Sequence, residues 1–415
     1  MRTWLVVSHL LLATLVAFAE NGADKSAGHV LLIGGTYFLG KSIAKALLAA
    51  GYKVTFVTRG SEPKAIAELQ QLGALHVKGN RHAEPGSREG LAFANAIGRQ
   101  PFWDAVVDMI AFTPDSVHSL LAGLDVTGYA EGVRKYKFGL YIFISTTASY
   151  VRCARGREQT IHGKSPLISE TVENDLREDS LCTNHVQWPY AMNKWNIDKM
   201  LRLKRQDDLK AGRSDPLPFV TVLIPSMVGS YARDGGRLDT RHYELQLLVE
   251  RCDSIHLHTR HQRSRKYRHL AHDGHLAEAI VGMLGAGKVI HGEALNIVMQ
   301  ELMSVEEYLE AIAKALGLAM PSVTYSNKGW DGGSLFKNDP ESNWGPMSIE
   351  RAQKLLGYSP APIDSWMDET AKWWARNGKQ LHANEKWKGN MYNQVLRGAC
   401  AHPWHWRADA ARTEL

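Results

Sequence analysis

The sequence predicts an α/β fold: a doubly wound parallel sheet with helices on both faces, followed by a smaller C-terminal α+β lobe. Three observations predict it. Short apolar runs rich in Val, Ile, Leu and Phe alternate with helical patterns between His29 and Leu223, as strands buried on both faces do. The first run ends in a glycine turn that opens directly into the first helix. With 44% of 415 residues hydrophobic and 22% charged, the composition is that of a globular chain and excludes disordered and fibrous classes.

The elements follow in order. Residues 1–19 read as a secretory signal peptide: Arg2, an apolar run from Trp4 to Phe18, and small residues Ala17 and Ala19 at the −3 and −1 positions of a cleavage site. The run is short for a membrane-spanning helix, so cleavage after Ala19 is expected. Residues 20–28 form a polar linker. The strand His29–Ile33 leads through Gly34 and Gly35 into a helix over Lys41–Ala50. Its apolar face is Ile43, Ala44, Leu47 and Leu48, and Gly51 closes it. Strands are expected at Lys53–Thr58, Ala74–Lys78, Trp103–Met109, Leu140–Ser145 and Phe219–Leu223, with helices at Lys64–Leu72 and Ala191–Lys210. Residues 29–225 thus make the main domain, with 148–189 as an insertion. The lobe spans 226–377 and holds two helices, Ser304–Leu316 and Ser365–Asn377. Capping boxes are expected at Ser304/Glu307 and Ser365/Asp368. A Trp-rich tail covers 378–415.

The formal charge is +6, which invites anionic partners. It is concentrated: residues 251–275 hold six Lys or Arg against two Asp, together with six of the 18 His. Four cysteines exclude a disulfide-dense scaffold, and the absence of any CxxC pair excludes a zinc ribbon or thioredoxin-type site. Cys153 and Cys182 both lie in the insertion. In a translocated protein a bridge between them would close it, and two buried thiols are the competing reading. His269, His272 and His275 recur at three-residue spacing, but a structural role outweighs a metal site, and no metal is expected.

Two motifs carry chemistry. Gly34-Gly35-Thr36-Tyr37-Phe38-Leu39-Gly40, between strand and helix, lets backbone N–H groups and a helix N-terminus meet a pyrophosphate. Tyr190-Ala191-Met192-Asn193-Lys194 puts Tyr190 and Lys194 on one helical face, where the ammonium favours the phenolate and makes the tyrosine an acid/base near neutral pH. The strand before it ends in Ser145-Thr146-Thr147, whose hydroxyls suit a substrate oxygen.

In this order, the glycine turn, the Ser/Thr strand end and the helical YxxxK resemble the extended short-chain dehydrogenase/reductase family, the NAD-dependent epimerases and dehydratases. GGTYFLG looks most like the atypical GGTxFIG branch that includes the chloroplast stem-loop-binding proteins. The stretches Gly79-Asn80-Arg81 and Val107-Asp108-Met109-Ile110-Ala111 are similar to that branch too. The resemblance implies a Rossmann-like sheet and a bound nicotinamide dinucleotide. Gly34, Gly35, Thr36, Tyr37, Phe38, Leu39 and Gly40 would line its pyrophosphate and Asn80 its adenine. Arg59 would meet the adenosine ribose, which favours NADP, with NAD as the other form. Thr147 would polarise the substrate oxygen, Tyr190 would be the general acid/base, and Lys194 would hold the nicotinamide ribose. Arg268, in a stretch similar to the family's RDFxxVxDLA segment, would clamp the diphosphate of a nucleotide sugar. A homodimer is compatible with the family.

Four departures stand out. Tyr37 replaces the middle glycine. Ile224 replaces an arginine before Pro225. Gly274-His275 replaces an acidic pair. The 43 residues separating Thr147 from Tyr190 exceed the usual loop. The expected activity is therefore that of an NAD(P)-dependent epimerase, dehydratase or reductase, first of all on a nucleotide sugar. Two competing readings are a reductase of a small non-sugar carbonyl and a non-catalytic polyanion or RNA binder. The retained Thr147, Tyr190 and Lys194 count against the last, and the signal peptide counts against a nucleic-acid partner. The leader places the protein in the secretory pathway, as a secreted, ER-lumenal or periplasmic chain.

Overall fold

Successive residues of a strand face opposite sides of a sheet, and in the first strand both sides are apolar. The computed structural model describes residues 27–84, 86–125, 136–150, 188–229, 241–262, 269–330, 347–383 and 399–400. In β1 (His29–Ile33), Val30 and Leu32 enter one core while Leu31 and Ile33 enter another. Both faces of the sheet are thus covered, as the continuous apolar strands require.

The chain then alternates. α1 (Phe38–Ala49), β2 (Lys53–Thr58), α2 (Pro63–Gln71), β3 (Leu75–Lys78), α3 (Arg88–Gly98), β4 (Ala105–Asp108), α4 (Pro114–Gly123), β5 (Tyr141–Ile144), α5 (Trp188–Lys210) and β6 (Phe219–Leu223) follow in order. Their strands form a parallel sheet in the order β3-β2-β1-β4-β5-β6, with a seventh strand beyond β6. The order reverses between β1 and β4, which opens a crevice at the strands' C-terminal ends. On one face, Ile43 and Leu47 of α1 cover Val30 and Leu32. On the other, Ile97 of α3, Val117 and Leu121 of α4, and Ile197 and Leu201 of α5 cover Leu31 and Ile33.

After β6 come β7 (Ser226–Val228), α6 (Arg241–Arg251), β8 (Ser254–His258), β9 (Leu270–His272) and α7 (Asp273–Ala286). β10 (Glu293–Asn296), α8 (Val305–Leu316), β11 (Ser322–Ser326), α9 (Glu350–Leu356) and α10 (Ile363–Ala383) complete the fold. β7 pairs with β9 and β8 with β11, each in parallel. A third core unites α6, α8 and α10 through Leu245, Leu248, Tyr308, Ile312, Trp366 and Met367. Two elements of the stretch 226–377 also join the main sheet and its core. β10 pairs with β6 as the seventh strand of the main sheet, and Leu276 and Ile280 of α7 join the core beneath α1. A short strand inside a long irregular stretch carries too little periodicity to place it in a sheet from sequence.

Some boundaries shift. α1 begins at Phe38, three residues before the expected Lys41, because the glycine turn runs straight into the helix. β4 covers only Ala105–Asp108, and Trp103 makes an isolated bridge to Phe138. The Ser304/Glu307 capping box is present. The Ser365/Asp368 box is replaced by an earlier start at Ile363, and the Ser365 hydroxyl donates to the Pro362 carbonyl. Cys252, at the end of α6, is disulfide-bonded to Cys400 with Cα atoms 5.4 Å apart. Cys153 and Cys182 lie outside the described residues, as do the leader, most of the insertion and most of the tail.

Candidate active site

A cavity of about 730 Å³ opens at the C-terminal ends of the strands. Its walls are the turn after β1, the ends of β2 and β3, Met109 and Ile110 after β4, Thr146 after β5, Tyr190 at the start of α5, and Ile224 to Met227. A second cavity, about 600 Å³, lies at the opposite edge, where Tyr52, Asp104, Leu140 and Pro218 precede their strands. Ligands of open α/β sheets bind at the first edge, at the switch in strand order.

The glycine turn is built for close approach. Gly34 and Gly35 have φ of 107° and 122°, a region that side-chain-bearing residues rarely enter. A Cβ on Gly40 would lie 2.4 Å from the Cα of Gly35, so only glycine lets α1 pack this tightly on the turn. Tyr37 N-caps α1 without a side-chain cap, leaving the first-turn amides without a side-chain acceptor at Tyr37. The turn thus fits a pyrophosphate. Gly34, Gly35, Thr36, Tyr37, Leu39 and Gly40 all line the cavity. Phe38 opens α1, and its side chain lies outside the described set.

Tyr37, the departure from the glycine pattern, does not close this cradle. Its hydroxyl is 3.1 Å from Ser61 Oγ and donates to Glu62 Oε1 at 3.1 Å, which carries the ring toward the loop after β2. Arg59 is exposed and lines the same end of the cavity. Asn80 also lines it, donating to Glu89 Oε2 at 3.0 Å and accepting from the His82 backbone N–H at 3.1 Å. The pKa of His82 is lowered, first by partial burial and then by the guanidiniums of Arg81 and Arg59.

At the other end, α5 places Tyr190 and Lys194 one turn apart. Tyr190 is 39% exposed and lines the cavity, with its ring 6.4 Å from that of Phe112. Lys194 is 2% exposed, and its Nζ lies 5.8 Å from the Tyr190 ring centroid and donates to the Ile144 carbonyl at 2.7 Å. Burial lowers its pKa to about 8. Thr146 forms the cavity wall, and its Oγ1 accepts from the Ala148 N–H. Thr147, expected at the substrate oxygen, is fully buried behind that wall. Among the described residues its Oγ1, like that of Ser145, has no hydrogen-bond partner. A buried hydroxyl left unpaired costs about 1–3 kcal/mol.

Sequence reasoning missed one feature beneath the cavity. Arg81 Nη1 donates to both oxygens of Asp108, at 2.6 and 2.8 Å, with both side chains at most 1% exposed. Tyr141 Oη adds a third bond to Asp108 at 2.8 Å, and the Ile110 N–H a fourth at 3.1 Å. The stretches around Arg81 and Asp108 were each legible as motifs, but nothing local says that they meet. Arg268 and its basic neighbours 263–267 lie outside the described residues. His269, His272 and His275 are nearly or wholly buried, and no three His, Cys, Asp or Glu among the described residues are placed to hold a metal ion.

No family model and no curated protein matches the chain. Solved structures do. UDP-glucuronic acid 4-epimerase from Bacillus cereus, in complex with NAD, is 15% identical with a TM-score of 0.55, over 88% of this chain and 99% of that one. dTDP-glucose 4,6-dehydratase from Bacillus anthracis, also with NAD, is 16% identical with a TM-score of 0.58, over 85% and 99%. A nucleoside-diphosphate-sugar epimerase from Pseudomonas aeruginosa is 17% identical with a TM-score of 0.54, over 85% and 98%. At these identities the likeness is one of fold, and it is the Rossmann-like α/β architecture that the sequence predicts.

Proposed function

We propose that this chain is a nicotinamide-dinucleotide-dependent enzyme of the extended short-chain dehydrogenase/reductase type, an epimerase or dehydratase acting on a carbinol or ketone centre of a nucleotide sugar. One observation carries the reading: a single cavity joins a glycine turn at one end to a helical Tyr190, with Lys194 behind it, at the other. The solved structures of like fold support it, since they include nucleotide-sugar epimerases and a dehydratase, some with NAD bound.

When bound, the dinucleotide supplies a hydride acceptor and donor. The chain's own residues do the rest. Gly34, Gly35, Thr36, Tyr37, Phe38, Leu39 and Gly40 hold the pyrophosphate through backbone N–H groups, and Asn80 faces the adenine. Arg59, exposed at the adenosine end, supports NADP over NAD. Tyr190 takes the proton from the substrate hydroxyl and returns it to the carbonyl. Lys194 holds the nicotinamide ribose and keeps a positive charge near the phenol. Thr146, which lines the cavity, positions the substrate oxygen, with Thr147 buried behind it. Arg268 meets the sugar diphosphate.

The same reading places the protein in the secretory pathway. The N-terminal leader pattern and the Cys252–Cys400 disulfide support an oxidising compartment. No helix among the described residues is long and apolar enough to cross a membrane. A homodimer is the assembly that goes with the family.

The test is a screen of nucleotide sugars for thermal stabilisation with and without NADP, followed by turnover of the best substrate. Tyr190→Phe is expected to lower turnover by about 10²- to 10⁴-fold while dinucleotide affinity stays within about twofold. Unchanged turnover would remove Tyr190 from the mechanism.

A further inference from the structure

Tyr37 stands where the glycine pattern expects no side chain, and its hydroxyl is spent on the far side of the cavity. It reaches Ser61 and Glu62 in the loop after β2. Glu62 is the N-terminal cap of α2, yet its carboxylate makes no cap bond to that helix. It accepts from the phenol instead. Arg59 lies only three residues before Glu62. Among the described residues no acidic side chain makes an ion pair with Arg59. The nearest carboxylate in sequence is thus turned toward Tyr37, and the guanidinium stays open along the cavity wall.

We infer that Tyr37 is a specificity-determining residue of the adenosine end: its phenol holds the Glu62 carboxylate away from Arg59 and so leaves Arg59 open to a 2′-phosphate. The inference rests on the dinucleotide reading above and deepens it. A carboxylate freed from Tyr37 would compete with the phosphate for the same fork of N–H donors. The ribose of an unphosphorylated dinucleotide carries no charge for that carboxylate to displace, and its 2′-hydroxyl would donate to it, so NADH binding would hold or tighten.

The experiment is equilibrium titration of the full chain with NADPH and with NADH, by ligand fluorescence, on four proteins: wild type, Tyr37→Phe, Tyr37→Phe/Glu62→Gln and Arg59→Ala. Tyr37→Phe keeps the ring and removes only the hydroxyl, and a thermal melt checks that each variant is folded. Wild type is expected to prefer NADPH. Tyr37→Phe is expected to weaken NADPH about two- to fivefold, the scale of one competing exposed ion pair, and not to weaken NADH. Adding Glu62→Gln is expected to restore NADPH binding, which a merely structural role of Tyr37 would not do. Arg59→Ala is expected to erase the preference.

Equal weakening of both ligands in Tyr37→Phe, or no rescue by Glu62→Gln, overturns the role of Tyr37. A wild-type preference that survives Arg59→Ala overturns the assignment of Arg59, and this inference with it. Binding of neither ligand to wild type overturns the dinucleotide reading itself.

Discussion

Two buried polar clusters meet the cost of burial in opposite ways. Beneath the cavity, Arg81, Asp108 and Tyr141 pair: a two-pronged ion pair with both side chains at most 1% exposed, closed by a phenol. In the later half of the chain, His242, His269, His272 and His275 are kept neutral. Burial lowers the pKa values of His242 and His269 to about 4 and that of His272 to about 3, and lowers that of His275 as well. Asp273, in their midst, accepts from Ser42 at 2.5 Å, and burial raises its pKa to about 7. Desolvation penalises a charge either way. A guanidinium and a carboxylate held together offset it, whereas the imidazoles give up their protons; even His272, with Asp273 Oδ1 3.3 Å from its Nε2, is driven neutral by burial. The first cluster should therefore resist acid, and the second should fail in it.

The largest expected effect follows from that contrast. Three histidines with folded pKa values near 3 to 4 have ordinary values near 6.5. The unfolded chain binds more protons in that window, so stability is lost as pH falls from about 6.5 toward 4, on the order of several kcal/mol. Asp273 acts in the opposite sense, since its raised value favours folding at low pH, but one carboxyl is outnumbered by three imidazoles. Urea denaturation followed from pH 7.5 to 4.5 should show a steep fall in midpoint, and His272→Phe should flatten it. A midpoint indifferent to pH would mean that these rings are not buried neutral.

Breaking the first cluster comes next. Arg81→Ala leaves Asp108 buried without its partner and should cost about 3–5 kcal/mol at neutral pH, whereas Arg81→Met with Asp108→Leu should cost less. If the single change costs under about 1 kcal/mol, the pair is not the closed one described. Smaller again is the disulfide. Reducing Cys252–Cys400 should lower unfolding stability by about 2–4 kcal/mol, and limited proteolysis should then release the C-terminal segment first. Equal melting of oxidised and reduced protein would contradict this.

The contrast also shows what the sequence could and could not say. The glycine turn, the Tyr190/Lys194 spacing and the alternating strands are local patterns, and each lies where expected, with edges moved by a few residues. Contacts across the chain were another matter. Arg81 meets Asp108 because the residues after β3 reach toward β4. Ser42 meets Asp273 across 231 residues because α7 returns to α1. Cys252 finds Cys400 across 148 residues, a pairing that spacing gives no means to choose. β10 joins the main sheet for the same kind of reason. At Tyr37 the substitution was visible and its direction was not, because only the fold brings Ser61 and Glu62 within reach of its hydroxyl.

The most direct measurement is a calorimetric titration of the intact chain with NADPH at pH 7.5. The account predicts saturable binding of one molecule per chain, with heat and affinity reduced in Arg59→Ala and retained in Tyr190→Phe. No saturable binding of NADPH or NADH at millimolar concentration, in a protein that melts cooperatively, would contradict it.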